Sequence, residues 1–263
     1  MVKGLSKLIM PGALTDFFAQ AAGAGYEAVE LVIAKEGELT LDAGDDKIAE
    51  IKALSAKYGL PVVSVVHSQC TGNLLDGGDE RKRSVEETIK GLKIAAALGA
   101  KVTLHTMGSL REDLYYDDAY FNAVQSLKMI APAARATGVK LAVEFVWSGF
   151  LFSPLEMKKL LDDVNNPYIG FYFDPGNMAV FQYPQHWARI LGRHILMVHA
   201  KDWRGNTLNG SWPALLTGNV NFKQVMAELR AAGYDDAFIS EVDPATASIK
   251  ETAAAMDEII AMF

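Results

Sequence analysis

The sequence predicts one α/β domain over residues 1–263, folded as a single (β/α)₈ barrel, the TIM-barrel fold. Short apolar runs alternate with longer amphipathic stretches along almost the whole chain, and eight such units can be counted. A length of 263 residues is typical of this barrel. A doubly wound open sheet is the competing fold, but no glycine-rich phosphate loop follows the first predicted strand.

The predicted strands are short runs of mostly β-branched or aromatic residues that follow turn residues such as Gly59-Leu60-Pro61. In chain order they are Leu8–Met10 (the weakest), Ala28–Ile33, Val62–Val66, Val102–Leu104, Lys140–Phe145, Ile169–Phe173, Ile195–Val198 and Ala237–Ile239. Because these runs are continuously apolar, we expect a parallel sheet with both faces covered.

The predicted helices lie between the strands. Asp79–Leu98 is the clearest, because Val85, Ile89 and Leu92 recur at three- and four-residue steps with charges on the other face. The same pattern predicts helices over Asp45–Tyr58, Asp117–Thr137, Pro154–Val164, Asn221–Ala232 and Ala245–Met262. Several of them end in glycine, as a left-handed C-cap requires.

Composition limits the partners. Lys plus Arg total 25 against 32 for Asp plus Glu, so the formal net charge is −7, and we expect neither nucleic acid nor membrane as a partner. Cys70 is the single cysteine and cannot form an internal disulfide. With no recognisable signal peptide, the sequence predicts a cytoplasmic protein. The sequence allows a homo-oligomer.

Polar residues end several of the apolar runs, and in a barrel these strand ends form the active site. They are His67, His105, Glu144, Asp174, His199 and Glu241. The last four are 30, 25 and 42 residues apart, each about one β–α unit. Four consecutive strands are therefore expected to deliver one ligand each to a shared point.

Taken singly, each of these residues has an ordinary structural explanation. A histidine such as His199 is more often a hydrogen-bonded core residue, and an aspartate before Pro175-Gly176 is more often a turn former. Together they favour one divalent ion, because buried carboxylates are costly unless paired or bound to metal. The carboxylate-rich set suits Mn²⁺ best, with Mg²⁺, Co²⁺ or Zn²⁺ as alternatives.

Four motifs carry a resemblance to a known family. The segments VEFV, FDPGN, VHAKD and SEVDP, around Glu144, Asp174, His199 and Glu241, resemble those of the xylose-isomerase-like TIM-barrel superfamily. That group contains sugar-phosphate isomerases, ketose 3-epimerases, inosose dehydratases and apurinic endonucleases. The resemblance implies that these four residues bind one catalytic metal, and that Glu144 and Glu241 also serve as acid and base on opposite faces of a carbohydrate substrate.

Three reactions share this constellation. A carboxylate removes a proton next to a carbonyl, and the resulting ene-diolate is reprotonated. Return of the proton to the opposite face gives epimerisation, return to the neighbouring carbon gives isomerisation, and loss of a β-hydroxyl gives dehydration. We therefore expect a metal-dependent isomerase or epimerase of a sugar or sugar phosphate, with an inosose or keto-sugar dehydratase as the alternative.

The resemblance also implies substrate contacts, and each has a structural alternative. His67 and His105 match family histidines but are also typical core residues, and Trp147 either stacks on a sugar or covers the barrel mouth. Asn177 stands where free-ketose 3-epimerases carry a histidine, and Arg204 resembles a substrate-binding arginine. The remaining residues of interest are Glu30, a partner of a ligand or a buried structural acid, and Lys201-Asp202, most simply a solvated pair.

The chain departs from two relatives. Phe150 stands six residues past the strand-five ligand, where free-ketose 3-epimerases have a further glutamate. The contacts by which those enzymes hold the terminal hydroxyls of a free ketose are therefore not expected here. The endonuclease interpretation is disfavoured by the net charge, by Asn177 and by the absence of a basic stripe. The segment Trp203–Asn219 contains two tryptophans and is expected to cap a bulkier or less polar substrate.

Overall fold

Eight parallel strands close into a barrel in a computed structural model that describes residues 1–263. In chain order the elements are β1 (Val2–Ser6), α1 (Leu14–Gly23), β2 (Ala28–Ile33), α2 (Asp45–Tyr58), β3 (Val62–His67), α3 (Gly78–Leu98), β4 (Val102–His105), α4 (Tyr116–Thr137), β5 (Lys140–Glu144), α5 (Pro154–Val164), β6 (Ile169–Phe173), α6 (Pro175–Ala179), α7 (Pro184–Leu191), β7 (Ile195–Ala200), β8 (Arg204–Asn206), β9 (Asn209–Ser211), α8 (Phe222–Ala231), β10 (Ala237–Ser240) and α9 (Ile249–Ile260).

The barrel order confirms the predicted (β/α)₈ fold. Strands β1 to β7 follow one another around the barrel, and β10 closes it by pairing with β7 on one side and β1 on the other. The short strands β8 and β9 form a separate antiparallel hairpin. None of the helices combines the length and apolar composition that a membrane-spanning helix needs.

Two apolar cores flank the strands. A cluster of eight buried residues, contributed by β3, β4, β5, β6, β7 and β10, fills the barrel interior, and a cluster of 63 packs the outer strand faces against the helices. Tyr172 identifies the interior side, because its hydroxyl on β6 reaches Glu30 on β2 and Ser64 on β3. Side chains alternate between the two faces along each strand, so this assignment fixes where every strand-end residue points.

Helix ends follow the expected chemistry. Gly59, Gly99 and Gly138 end α2, α3 and α4 with φ of 66°, 85° and 74°, the left-handed conformation that glycine adopts without a Cβ penalty. The last helix begins at Ile249 rather than Ala245, because Ser248 and Glu251 form a capping box.

The first strand was predicted in the wrong place. Residues Lys7–Ile9 form a 3₁₀ turn, capped by the Ser6 hydroxyl, which accepts a hydrogen bond from Leu8 N–H. The strand itself is Val2–Ser6, which pairs with β10 and β2.

Lys3 and Gly4 conceal that strand in the sequence. The Lys3 ammonium lies 2.6 Å from Asp257 Oδ1. Because its charge is paired, this lysine can be buried in the barrel, with 7% of its surface exposed. Gly4 permits close approach of β10, since a Cβ there would lie 2.9 Å from Ile239 Cγ1. Both residues interrupt the apolar run that sequence reasoning looks for.

Candidate metal centre

The four predicted ligands lie at the carboxyl ends of four neighbouring barrel strands. Glu144 is the last residue of β5, Asp174 follows β6, His199 lies in β7, and Glu241 follows β10. Each stands two residues after a member of the interior cluster, namely Ala142, Tyr172, Met197 and Ile239 respectively. Alternation therefore points all four side chains into the barrel mouth.

One ligand atom from each of these residues converges on a common point. The four atoms lie within 4.8 Å of one another. The Nδ1 atom of His199 is 3.5 Å from Glu144 Oε1, 3.6 Å from Glu241 Oε2 and 4.0 Å from Asp174 Oδ2.

These residues fit a divalent ion. His199 Nδ1 and Asp174 Oδ2 are buried without a hydrogen-bond partner, and both face the convergence point. Buried polar atoms are normally satisfied, and buried carboxylates are normally paired or bound to metal. Three carboxylate oxygens and one imidazole nitrogen form a donor set that a divalent cation can take.

Glu30 fixes the orientation of His199. Its carboxylate is fully buried and accepts hydrogen bonds from Ser6 Oγ and Ser64 Oγ, both at 2.7 Å, and from the Tyr172 hydroxyl. His199 Nε2 lies 3.0 Å from Glu30 Oε1. An acceptor at that place assigns a ring proton to Nε2, so that Nδ1 is the nitrogen that faces the three acids and that an ion would take.

The electrostatics of the centre follow from burial and crowding. Burial raises the pKa of Glu144 to about 7 and that of Asp174 to about 6. Burial would also raise the pKa of Glu241, but Lys201 and His199 hold it below its ordinary value. Burial alone would lower the pKa of His199, yet Glu30 and Glu241 raise it well above the usual range. The cluster as a whole therefore attracts positive charge.

Lys201 and Asp202 are not the solvated pair that the sequence suggested. The Lys201 ammonium lies 2.9 Å from Glu241 Oε2. Asp202 is 1% exposed and accepts the backbone N–H groups of Trp203, Gly218 and Val220, which pins both ends of the segment containing the hairpin. The sequence could not predict that these two residues are buried, because they meet their partners only when the chain folds.

Residues 18–259 match the model of the family described as xylose isomerase-like TIM barrel. The chain belongs to this family. The uncharacterized protein MJ1311 of Methanocaldococcus jannaschii is 26% identical over 243 residues, which cover 88% of this chain and 80% of that protein.

Solved structures share the xylose isomerase-like fold over the whole chain. A D-tagatose 3-epimerase-like protein has a TM-score of 0.84 at 23% identity, covering 100% of this chain and 97% of its own. The D-allulose 3-epimerase from Methylomonas sp., solved with D-allulose, has a TM-score of 0.80 at 21% identity, with 100% and 97% coverage. An L-ribulose 3-epimerase has a TM-score of 0.81 at 18% identity, with 99% and 94% coverage.

Asn177 holds two of the candidate ligands. This residue is 3% exposed; its side-chain amide donates to Glu144 Oε1 at 3.2 Å, and its backbone N–H donates to Asp174 Oδ1 at 3.0 Å. Through its side chain and its backbone, Asn177 therefore positions two of the carboxylates. Phe150 is 3% exposed and packs on Tyr116, so that position belongs to the core.

Trp147 and Arg204, two of the predicted substrate contacts, follow the carboxyl ends of β5 and β7. Trp147 is half-exposed and packs on Trp212, their ring centroids 5.3 Å apart, and Trp212 packs on Trp203 at 4.7 Å. The exposed Arg204 guanidinium donates to the carbonyl oxygen of Thr217. The hydrogen bonds to Thr217 are sufficient to explain the position of Arg204. The Trp147–Trp212 pair, in contrast, leaves aromatic surface exposed beside the barrel mouth.

The structure does not bring His67 and His105 into the ligand cluster. They adjoin the interior residues Val66 and Leu104 in sequence, so they point to the opposite, helix-facing side. The His67 ring lies against Gly91 of α3, where a Cβ would collide with it. His105 Nδ1 accepts from Met107 N–H, and its Nε2 lies 2.8 Å from Thr71 Oγ1. Spacing alone could not separate these histidines from residues that face the barrel mouth, but strand parity could.

We expect His67 to make the fold sensitive to acid. Burial without any hydrogen-bond partner lowers its pKa to about 4, against about 6.5 in an unfolded chain. The unfolded state therefore binds the extra proton below pH 6.5, and stability is lost as pH falls towards 4. Between pH 7 and pH 5 the loss from this residue is about 2 kcal/mol.

Urea unfolding at both pH values measures this loss. His67→Gln should lose about 2 kcal/mol less than the wild type on this pH change, whereas the exposed control His186→Gln should match the wild type. Equal pH dependence in all three proteins would show that folding does not lower the pKa of His67.

Proposed function

We propose that this protein is a divalent-metal-dependent isomerase or epimerase of a sugar or sugar phosphate, working by proton transfer through an ene-diolate. One observation carries the proposal: two glutamates, Glu144 and Glu241, meet an aspartate and a histidine at a single point of the barrel mouth, within 4.8 Å. The sugar 3-epimerases that share the fold, one of them solved with D-allulose, support a carbohydrate substrate.

Glu144, Asp174, His199 and Glu241 would hold the ion. When bound, a divalent cation supplies Lewis acidity, drawing charge from a carbonyl and its neighbouring hydroxyl so that the intervening C–H becomes more acidic. Mn²⁺ is the ion we favour, because the set is mostly carboxylate with one imidazole.

The protein's own residues move the proton. Glu144 on β5 and Glu241 after β10 approach from two sides, with β6 and β7 between them around the barrel. One glutamate removes the proton from the carbon next to the carbonyl, and the other returns a proton from the opposite face. Asn177 holds Glu144 and Lys201 holds Glu241, so each carboxylate has its own positioning partner. A small-molecule carbohydrate substrate and a cytoplasmic location belong to the same proposal.

Dehydration of an inosose or keto-sugar is the second candidate. It uses the same proton abstraction but ends with loss of a β-hydroxyl. Two observations favour keeping it: Asn177 is committed to Glu144 and Asp174, and Phe150 is buried, so neither is placed to grip the terminal hydroxyls of a free ketose. Product mass separates the two, because dehydration removes one water and epimerisation removes nothing.

Metal analysis tests the centre itself. After incubation with Mn²⁺ and removal of free ion, we expect the wild type to retain one ion per chain. His199→Ala removes the only nitrogen ligand and should retain none. His186→Ala, an exposed histidine on α7, is the matched control and should behave as the wild type. Full Mn²⁺ content in His199→Ala would refute the ligand assignment.

A further inference from the structure

Lys201 is a buried cation beside the candidate metal ligands. It stands two residues after His199, on the same face of the chain, and its side chain is 17% exposed. The ammonium Nζ lies 2.9 Å from Glu241 Oε2 and 3.6 Å from Asp174 Oδ2.

The surroundings hold this lysine in place. Its stem runs over Gly176 at the start of α6, where a Cβ would lie 2.7 Å from Lys201 Cγ and 2.9 Å from Lys201 Cβ. Its ammonium lies 4.7 Å from the ring centroid of Trp212, which is itself packed against Trp147 and Trp203. A glycine below and an aromatic ring beside it keep the charge close to the carboxylates.

The ammonium and a metal ion would claim the same atoms. Glu241 Oε2 and Asp174 Oδ2, which contact Lys201, are also the oxygens that face His199 Nδ1 across the convergence point. Two cations that share carboxylate oxygens repel each other over a few ångströms, in a site shielded from water.

From this geometry we propose that Lys201 is a built-in competing cation that weakens the hold of the centre on its divalent ion and so sets metal affinity. The inference rests on the proposed function in taking the four residues as a metal centre. Lys201 compensates one of the three ligand carboxylates, so removing its charge leaves more negative charge for the ion. A lysine with a merely structural role would have no such effect, and its removal would loosen the centre.

The test compares Mn²⁺ affinity, measured by chelator competition, in the wild type, Lys201→Met, Lys201→Gln and Lys201→Arg. We expect Met and Gln to bind Mn²⁺ about tenfold tighter or more, and Arg, which keeps the charge, to stay near the wild type. Lys158→Met removes the same charge from the outer helix α5, where Lys158 pairs with Asp162, and should leave affinity unchanged.

Thermal unfolding gives a second readout that does not depend on catalysis. Without Mn²⁺, the Met and Gln variants should melt below the wild type, because the carboxylates lose their counter-charge, and saturating Mn²⁺ should raise their midpoints by more. Glutamine keeps an N–H donor for Glu241 and serves as the neutral variant if methionine prevents folding.

Unchanged or weaker Mn²⁺ binding in both neutral variants would overturn the inference, as would tightening in Lys201→Arg. A wild type that binds no divalent ion would instead refute the proposed function, so the two failures are distinguishable.

Discussion

Replacing either Glu144 or Glu241 with glutamine is expected to lower turnover of the true substrate by about 10²–10⁴-fold, the usual cost of losing a general base. Glutamine keeps the shape and one coordinating oxygen but cannot accept the proton. The double variant should lose little more than the worse single one, because residues that act as a unit are not additive.

Metal content must be measured beside turnover, so that loss of the ion is separated from loss of the base. Glu50→Gln provides the matched control, because Glu50 lies on the outer helix α2, paired with Lys47, and should keep full activity. If both active-site glutamine variants kept near-normal turnover, the glutamates would be ligands only, and another group would have to move the proton.

The second large effect is expected at Glu30, which is fully buried behind His199. Glu30→Gln breaks the buried contact with His199 and turns an amide N–H₂ towards groups that are themselves donors, namely Ser6, Ser64 and Tyr172. We expect Mn²⁺ affinity to fall about 10–100-fold, as when the partner that orients a ligating histidine is lost. The free energy of unfolding should fall by about 3–5 kcal/mol, since one half of a buried charged pair is removed.

Ser64→Ala is the control for Glu30. It deletes one donor to the same carboxylate but leaves the His199 contact, so it should cost only about 1 kcal/mol and leave Mn²⁺ affinity nearly unchanged. Equal Mn²⁺ affinity in Glu30→Gln and the wild type would mean that His199 needs no such orientation.

The sequence was sufficient to predict the barrel and the four converging residues because both depend on local patterns. Each candidate ligand ends an apolar run, and strand ends meet at one face of a barrel. His67 and His105 satisfied the same rule and still point elsewhere, because a shift of one residue reverses the face of a strand.

For other parts of the centre the sequence could not identify the partner. Glu30 was recognisable as an acid within a strand, but it reaches His199 from 169 residues away in the chain, and Lys201 reaches Glu241 from 40 residues away. Strand β1 was missed for a related reason: Lys3 finds its partner Asp257 only when the barrel closes, so its burial cannot be inferred from its neighbours. Long-range pairing of charges determines these features.

Solvent deuterium exchange tests the central claim most directly. The Mn²⁺-loaded wild type is incubated in D₂O with a panel of ketoses and sugar phosphates, and each product is examined by NMR and mass spectrometry. Removal of a proton by one glutamate and its return by the other predicts deuterium on the carbon next to the carbonyl in the product. Incorporation should be lost when Glu144 and Glu241 are both glutamine. A substrate that is converted by the wild type with no solvent deuterium at that carbon would contradict proton transfer by this pair.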